Sequence, residues 1–312
     1  MRSTRMIRAL DVHAAGWPLR VVFDGSRDAA GETLGEKAER LWKGAGSPVR
    51  WIQREPRGHA ALRVGVIVAS GTADAGLLVF DSDGPCPADE MDALCAAAAL
   101  RETGTVAGDE PVVLETSERR IGLGAEDARG WRSAEGTVTL HGGIGTISWL
   151  SPGKTPQGDY HGAIRYEIDN AAAWGIPFRS EHAARLERLL LAGSTNGKKA
   201  YFLEETGDGT KGTTIALAMA GRDGKPLRAP EGGAAGAALA MLHGRDSALV
   251  ASSVRIRALS GGWLEGTVLS AEAGETGFPT LRWELRARAR LIASCEFVLD
   301  PADPFADGFL LR

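Results

Sequence analysis

Gly84-Pro85-Cys86-Pro87-Ala88-Asp89-Glu90-Met91-Asp92 is the stretch that decides the fold, and Ala229-Pro230-Glu231-Gly232-Gly233-Ala234-Ala235-Gly236 is its counterpart further along. Each is a proline-bearing turn that runs into an Ala-rich segment. In the first, Pro87 opens the segment, acids crowd its start, and Gly104 lies just beyond Glu102. Those signals predict a helix over 87–102. The second stretch predicts a helix from Gly233 to His243. A helix N-terminus presents unpaired N–H groups and partial positive charge, so it favours a carboxylate ligand. Two such ends facing one another would cradle the carboxylate of a small amino acid.

The flanking sequence follows the same order twice. Residues 6–12 and 19–24 read as a hairpin joined through Gly16-Trp17-Pro18. Residues 32–45 read as a helix with Leu34, Ala38, Leu41 and Trp42 on one face. Leu62–Ala69, Leu77–Asp81, Val112–Glu115, Arg120–Gly122 and Thr137–Leu140 read as strands. Gly142–Gly153 is rich in turns, Ala163–Ile168 reads as a strand and Ser180–Leu191 as an amphipathic helix. Lys199–Leu203 and Thr213–Ala220 are strand-like, and the remainder through Arg290 to Leu299 is strand-rich. This order predicts an α/β (α+β) protein of two pseudo-symmetric domains. The first covers 1–130 with the tail 290–312, and the second covers 131–289. A ligand would sit in the cleft between them.

Bulk composition narrows the function. The chain has 312 residues, 44% of them hydrophobic, enough for two cores. Its formal charge of −4 argues against a nucleic-acid partner, which needs a concentrated basic surface. The sequence holds no apolar run long enough to span a membrane, and the N-terminal residues lack the features of a signal peptide. Three cysteines (Cys86, Cys95 and Cys295) suit a reducing cytosol better than a disulfide framework. The 41 glycines imply many tight turns.

Five segments carry a resemblance. Leu10-Asp11-Val12-His13-Ala14-Ala15-Gly16-Trp17-Pro18-Leu19-Arg20 resembles the opening of the proline racemase family, usually Asp-x-His-Thr-x-Gly-Glu-Pro-x-Arg. Arg54-Glu55-Pro56-Arg57-Gly58-His59-Ala60 resembles its Glu-Pro-Arg-Gly-His-Ala segment. Arg101-Glu102-Thr103-Gly104 is similar to the end of its first helix, and Pro230 through His243 to its second. Asp300-Pro301-Ala302-Asp303-Pro304-Phe305 with Gly308-Phe309 closes the chain in the family manner. The resemblance spans nearly the full length. It implies a fold like that of diaminopimelate epimerase, a cytoplasmic homodimer, and a cofactor-independent site without metal. The implied ligand is a proline- or hydroxyproline-type amino acid, and the implied chemistry is racemisation, 2-epimerisation or dehydration.

The family keeps one cysteine in a Met-Cys-Gly-His motif and another in Asp-Arg-Ser-Pro-Cys-Gly-Thr-Gly. Counting back from Glu102-Thr103-Gly104 puts Asp89 at the first cysteine and Met91 at the histidine. Counting from Pro230 puts Glu231 at the second cysteine and Leu227 at the motif's leading Asp. Trp17 takes the place of the opening Glu. Gly233, Ala234 and Ala235 replace a Thr-Gly-Thr that helps hold a substrate carboxylate, and Gly232 is retained. The candidate reacting groups are therefore Asp89 and Glu231. The candidate ligand contacts are Gly232, Gly233, His59, Trp17, Met91, Arg165 and Leu227.

The exchange matters chemically. Two-base isomerisation needs one group to take the α-proton and another to donate from the opposite face. A helix N-terminus turns a thiol into a usable thiolate. The same helix end stabilises the ionised form of a carboxylate, which leaves a weak base with no proton to donate at pH 7. Burial or mutual repulsion between two carboxylates works the other way. The residues are thus compatible with inherited isomerisation, with altered acid/base chemistry on a related ligand, or with binding without turnover.

Other motifs have simpler readings. Cys86, three residues before Asp89, is a displaced thiol or a structural one, and Cys95 and Cys295 read as core. The acids Asp81, Asp83, Asp89, Glu90 and Asp92 lack the ligand order of a calcium loop and suit a helix first turn. His13, His59 and His243 have no metal-ligand spacing. Gly153-Lys154-Thr155 lacks the earlier glycine of a phosphate loop, and Gly142-Gly143-Ile144-Gly145 lacks the dinucleotide pattern. Trp149 and Arg165 are further cleft candidates. Arg165 would pair with an acidic group or stand solvated on its strand.

Overall fold

The structure, a computed structural model, describes residues 5–23, 32–43, 47–107, 110–127, 130–132, 201–205, 214–220, 226–227, 229–245, 250, 252–258, 260–273, 279–300, 302–305 and 307–311. The expected elements at Thr137–Leu140, Gly142–Gly153, Ala163–Ile168 and Ser180–Leu191 lie outside the described residues, as do Trp149 and Arg165. The chain divides into two compact units: Met1–Ala134 with Arg288–Arg312, and Glu135–Ala287.

The first unit opens with β1 (Arg5–Ala14) and β2 (Trp17–Phe23), paired antiparallel with Ala14 opposite Trp17. The turn is shorter than the sequence suggests. Ala15 and Gly16 form it alone, both with positive φ, 51° and 92°. Positive φ at both central residues is what a two-residue hairpin needs to follow the strand twist. Trp17 and Pro18 are therefore already strand residues.

Helix α1 (Leu34–Lys43) follows, then α2 (Pro48–Gln53), a single short helix that periodicity does not reveal. Ser47 caps α2 by accepting the Arg50 N–H at 3.2 Å, and Pro48 fills the position where a missing N–H is harmless. Strand β3 (Arg63–Val68) pairs parallel with β2 and antiparallel with β4 (Ala75–Asp81). Helices α1 and α2 cover one side of these strands through Ala38, Val49, Trp51, Ile52, Val64, Val66, Leu78 and Phe80. Then come β5 (Gly84–Cys86), helix α3 (Glu90–Glu102), β6 (Val112–Glu115), β7 (Arg120–Asp127) and β8 (Gly130–Arg132). Strand β6 lies parallel to β4, with α3 as the crossover. Helix α3 is buried on nearly every face: Ala93, Leu94, Cys95, Ala96, Ala97, Ala99 and Leu100 are all inaccessible. A helix that is apolar over most of its faces belongs in a core, not on a surface.

The second unit repeats the plan. Strands β9 (Tyr201–Glu205) and β10 (Thr214–Ala220) pair antiparallel, and β11 (Pro226–Leu227) adds to β10. Helix α4 (Gly232–Arg245) leads to β12 (Ser253–Arg257), which is parallel to β10. Strands β13 (Trp263–Ala273) and β14 (Pro279–Ala287) continue antiparallel. Helix α4 packs on β10, β13 and β14. Gly236 allows the approach, since a Cβ there would lie 2.4 Å from the Trp283 ring.

Strand β15 (Ala289–Leu299) returns to the first unit and pairs antiparallel with β1 along its whole length. The tail then docks on the loop after α2. Glu55 and Phe309 exchange both backbone hydrogen bonds at 3.0 Å, and Arg57 pairs with Asp303. Arg20, 7% exposed, fixes that loop from beneath. It donates to both Asp11 oxygens (2.7 and 2.8 Å) and to the carbonyls of Ile52 and Arg57.

Candidate functional site

The expected first site lies at the start of α3, and its residues are bound up with one another. Proline does not open the helix, as the sequence suggests. Pro87 stands outside it, and Asp89 is the N-cap, with extended backbone at φ −86° and ψ 158°. Its Oδ1 accepts the Met91 N–H at 2.8 Å, and Asp92 Oδ2 accepts the Asp89 N–H at 2.8 Å. These reciprocal bonds form a capping box, which satisfies donors that a bare helix end leaves open. Met91 is fully buried beneath the cap.

Two arginines brace this turn, one from a strand and one from a turn. Arg63 on β3 reaches Asp92 Oδ2 at 3.0 Å, the Pro87 carbonyl at 2.8 Å and the Cys86 Sγ at 3.1 Å. Its guanidinium lies 5.2 Å from the Trp17 ring centroid. Trp17 itself, 5% exposed, donates its indole N–H to Asp92 Oδ1 at 2.8 Å. Arg119 enters from the β6–β7 turn and pairs with Glu90 at 2.7 Å. That turn is fixed by Thr116, whose hydroxyl accepts the Arg119 N–H at 3.0 Å.

Burial sets the proton affinities. Desolvation, reinforced by the Asp89 charge and opposed by Arg119, pushes Glu90 up to about 7. Desolvation also raises Asp92 to about 6, against the pull of Arg63. Burial pushes the Cys95 thiol well up. Cys95 is a core residue, as its place in the helix suggests, with its Sγ 3.7 Å from the Trp17 carbonyl. Cys295 is only half-buried, on β15 beside Asp11.

At the second start, Glu231 directly precedes α4, and its carbonyl accepts the Ala235 N–H at 3.0 Å. Its Oε2 is shielded from solvent. Gly232 is buried, whereas a Cβ on Gly233 would meet nothing within 4 Å. Ala234 and Ala235 face the core at 1% and 0% exposure. Leu227 ends β11, opposite Met219.

The structure thus brings Asp89, Met91, Trp17 and Cys86 together around one helix start, and Glu231, Gly232 and Gly233 around the other. His59 lies in the α2–β3 loop, exposed, with its carbonyl accepting the Leu62 N–H at 2.9 Å. Sequence reasoning missed Asp92, Glu90, Arg63 and Arg119 as members of the site. The Asp89-x-x-Asp92 spacing of a capping box was the available signal. Asp81 and Asp83 do not join them: Asp81 Oδ1 accepts the N–H groups of Asp83 and Gly84 in its own turn. No helix among the described residues is long and apolar enough to cross a membrane.

A strand pair, a short returning strand, a buried Ala-rich helix and a parallel strand, all occurring twice, define the two-unit epimerase-like α/β class. Within that class the chain belongs to the proline racemase family, which matches residues 9–136 and 194–310. A 4-hydroxyproline 2-epimerase of Streptosporangium roseum is 26% identical over the full length of both chains. A trans-3-hydroxy-L-proline dehydratase of Azospirillum brasilense is 25% identical, again over the full length of both. The crystal structure of a hydroxyproline epimerase from Agrobacterium vitis, with bound trans-4-hydroxy-L-proline, superposes with a TM-score of 0.74 at 21% identity. That match covers 100% of this chain and 96% of the other.

Proposed function

We propose that this protein binds a small proline- or hydroxyproline-type amino acid, or an analogue, at its helix starts and does not isomerise it by a two-base mechanism. The observation that carries this reading is the capping role of Asp89. In the count along the sequence, Asp89 and Glu231 occupy the two positions where the family keeps its cysteines. One Asp89 oxygen holds the Met91 amide, and the residue is 8% exposed. Taking a proton from a ligand's Cα would disturb a cap of a kind worth about 0.5–2 kcal/mol. A side chain already committed to the helix cap is in any case poorly placed to act as the base that so weak an acid needs.

The family relation supports the ligand class, and the same resemblance supports a cytoplasmic homodimer. Calorimetry with L-proline, trans-4-hydroxy-L-proline and trans-3-hydroxy-L-proline tests binding. Proton NMR in D2O tests α-proton exchange. Binding without exchange is the expected result. Exchange by the wild type that vanishes in both Asp89→Ala and Glu231→Ala would establish inherited chemistry instead.

A further inference from the structure

The start of α3 holds more charge than a helix cap requires. Asp89, Glu90 and Asp92 are all buried, yet they are not held alike. Asp92 accepts from Trp17 Nε1 and from the Asp89 amide, and pairs with Arg63. Asp89 carries the Met91 amide. The Glu90 side chain is 4% exposed, and among the described residues it meets one guanidinium, that of Arg119, itself 33% exposed. A carboxylate out of water beside another carboxylate favours its neutral form, and one partly solvated arginine opposes this only in part.

Among the described residues, the neighbouring elements add few other charges to this turn. Helix α3 packs against β1, β2, β3, β4, β7 and β15. On β1, Asp11 is turned to Arg20 and Arg8 to Glu296 of β15, while His13 Nδ1 accepts the Gly16 amide. Cys295 of β15 lies beside Asp11, and Arg290 is exposed. Asp81 of β4 caps its own turn, and Arg120 of β7 is exposed. Strand β3 supplies Arg63, with Cys86 of β5 against it. Cys95 lies one turn further along α3. Among the described residues, protonating Glu90 removes one of the three carboxylate charges gathered at the helix start.

We propose that the Glu90–Arg119 pair is a proton-operated latch. Proton uptake by Glu90 releases Arg119 from the carboxylate and removes a negative charge beside Asp89. This end of the helix then accepts a carboxylate-bearing ligand below neutrality and disfavours it above. The gating rests on the functional reading above, in which such a ligand is held here; the latch itself does not. Burial places the proton uptake near neutral pH, since Glu90 is pushed up to about 7.

Thermal unfolding of the ligand-free full chain between pH 5.5 and 8 tests the latch directly. A buried carboxyl raised above its unfolded value stabilises the fold below that value and loses its contribution as pH rises through about 7. The wild-type midpoint is expected to fall by about 2–4 °C across this window for each kcal/mol lost. Glu90→Gln should flatten the fall. Arg119→Met, which strips the opposing charge, should move it to higher pH, a displacement that a merely structural contact would not produce. An unchanged profile in both variants overturns the latch. Calorimetry with trans-4-hydroxy-L-proline tests the gating. The expected result is affinity about fivefold or more tighter at pH 6 than at pH 8 in the wild type, and pH-independent in Glu90→Gln. Equal wild-type affinity at the two pH values overturns the gating. No binding at any pH overturns the functional reading and the gating with it, and the thermal profile still decides the latch.

Discussion

Asp89 and Asp92 share one capping box but differ in what they support. Asp89 holds one amide at a helix end, so Asp89→Ala should cost about 0.5–2 kcal/mol. Asp92 is fully buried and answers Trp17, Arg63 and the Asp89 amide together. Asp92→Ala would leave Arg63 and the indole N–H facing each other across a void. Breaking a buried pair of this kind costs about 3–5 kcal/mol. Urea unfolding should therefore rank Asp92→Ala well below Asp89→Ala, and the reverse order would contradict the assignment. The sequence shows a helix near Asp89, predicted over 87–102, because the Ala-rich run and Gly104 bound the segment. It does not show that Asp92 is buried. That depends on Trp17, which arrives from β2, 75 positions away in the chain. Its arrival in turn depends on the hairpin turn being confined to Ala15 and Gly16.

At the scale of elements, strand and helix identities were largely legible, and boundaries were less so. Val112–Glu115 matches β6, and the predicted helix over 32–45 is α1 at Leu34–Lys43. Pro87 suggests a helix start, but the chain first forms β5 against β4 and starts the helix at Glu90. Helix α2 was missed because six residues carry too little periodicity to show. Its Ser47-Pro48 start was the only signal present. The loop after α2 depends on two glycines, whose steric role the sequence does not show. A Cβ on Gly58 would lie 2.2 Å from the Gln53 carbonyl oxygen. Gly308 has φ +67°, and its Cβ would lie 2.7 Å from the Arg54 Cβ. Left-handed backbone costs a non-glycine residue about 1–2 kcal/mol before any clash. Gly308→Ala should lower stability in chemical denaturation by at least that amount, and Gly58→Ala, whose Cβ would collide with the Gln53 carbonyl, by about 1–3 kcal/mol. Gly233→Ala, with open space around it, should change stability by less than about 1 kcal/mol. A tolerated Gly58→Ala would show that the tail and loop are not locked as described.

Across the whole molecule, the repeat predicted from two Pro-to-Ala-rich turns is a repeat of topology. The order β3-β4-β5-α3-β6-β7 recurs as β9-β10-β11-α4-β12-β13, with the same parallel pairing across each helix. The sequence reveals it because each helix must be apolar all round to fill its own sheet. It reveals less of β1 and β15, whose pairing joins Arg5–Ala14 to residues some 280 positions away. Truncation after Ala287 would strip β1 of β15, one of its two partners, and Arg57 of Asp303. The shortened chain should lose cooperative unfolding of its first unit, seen as a broadened or missing transition in calorimetry, and a sharp wild-type-like transition would contradict this. Trp17, Asp89 and Met91 meet at the start of α3, and Glu231 directly precedes α4. The proposed function is that a ligand is held there without loss of its proton. The most direct test is to incubate the wild-type protein with trans-4-hydroxy-L-proline in D2O and follow the Cα proton by NMR. The expected result is a bound ligand whose Cα proton persists at the uncatalysed rate. Loss of that signal, or appearance of the cis-4-hydroxy-D-proline epimer, would contradict it.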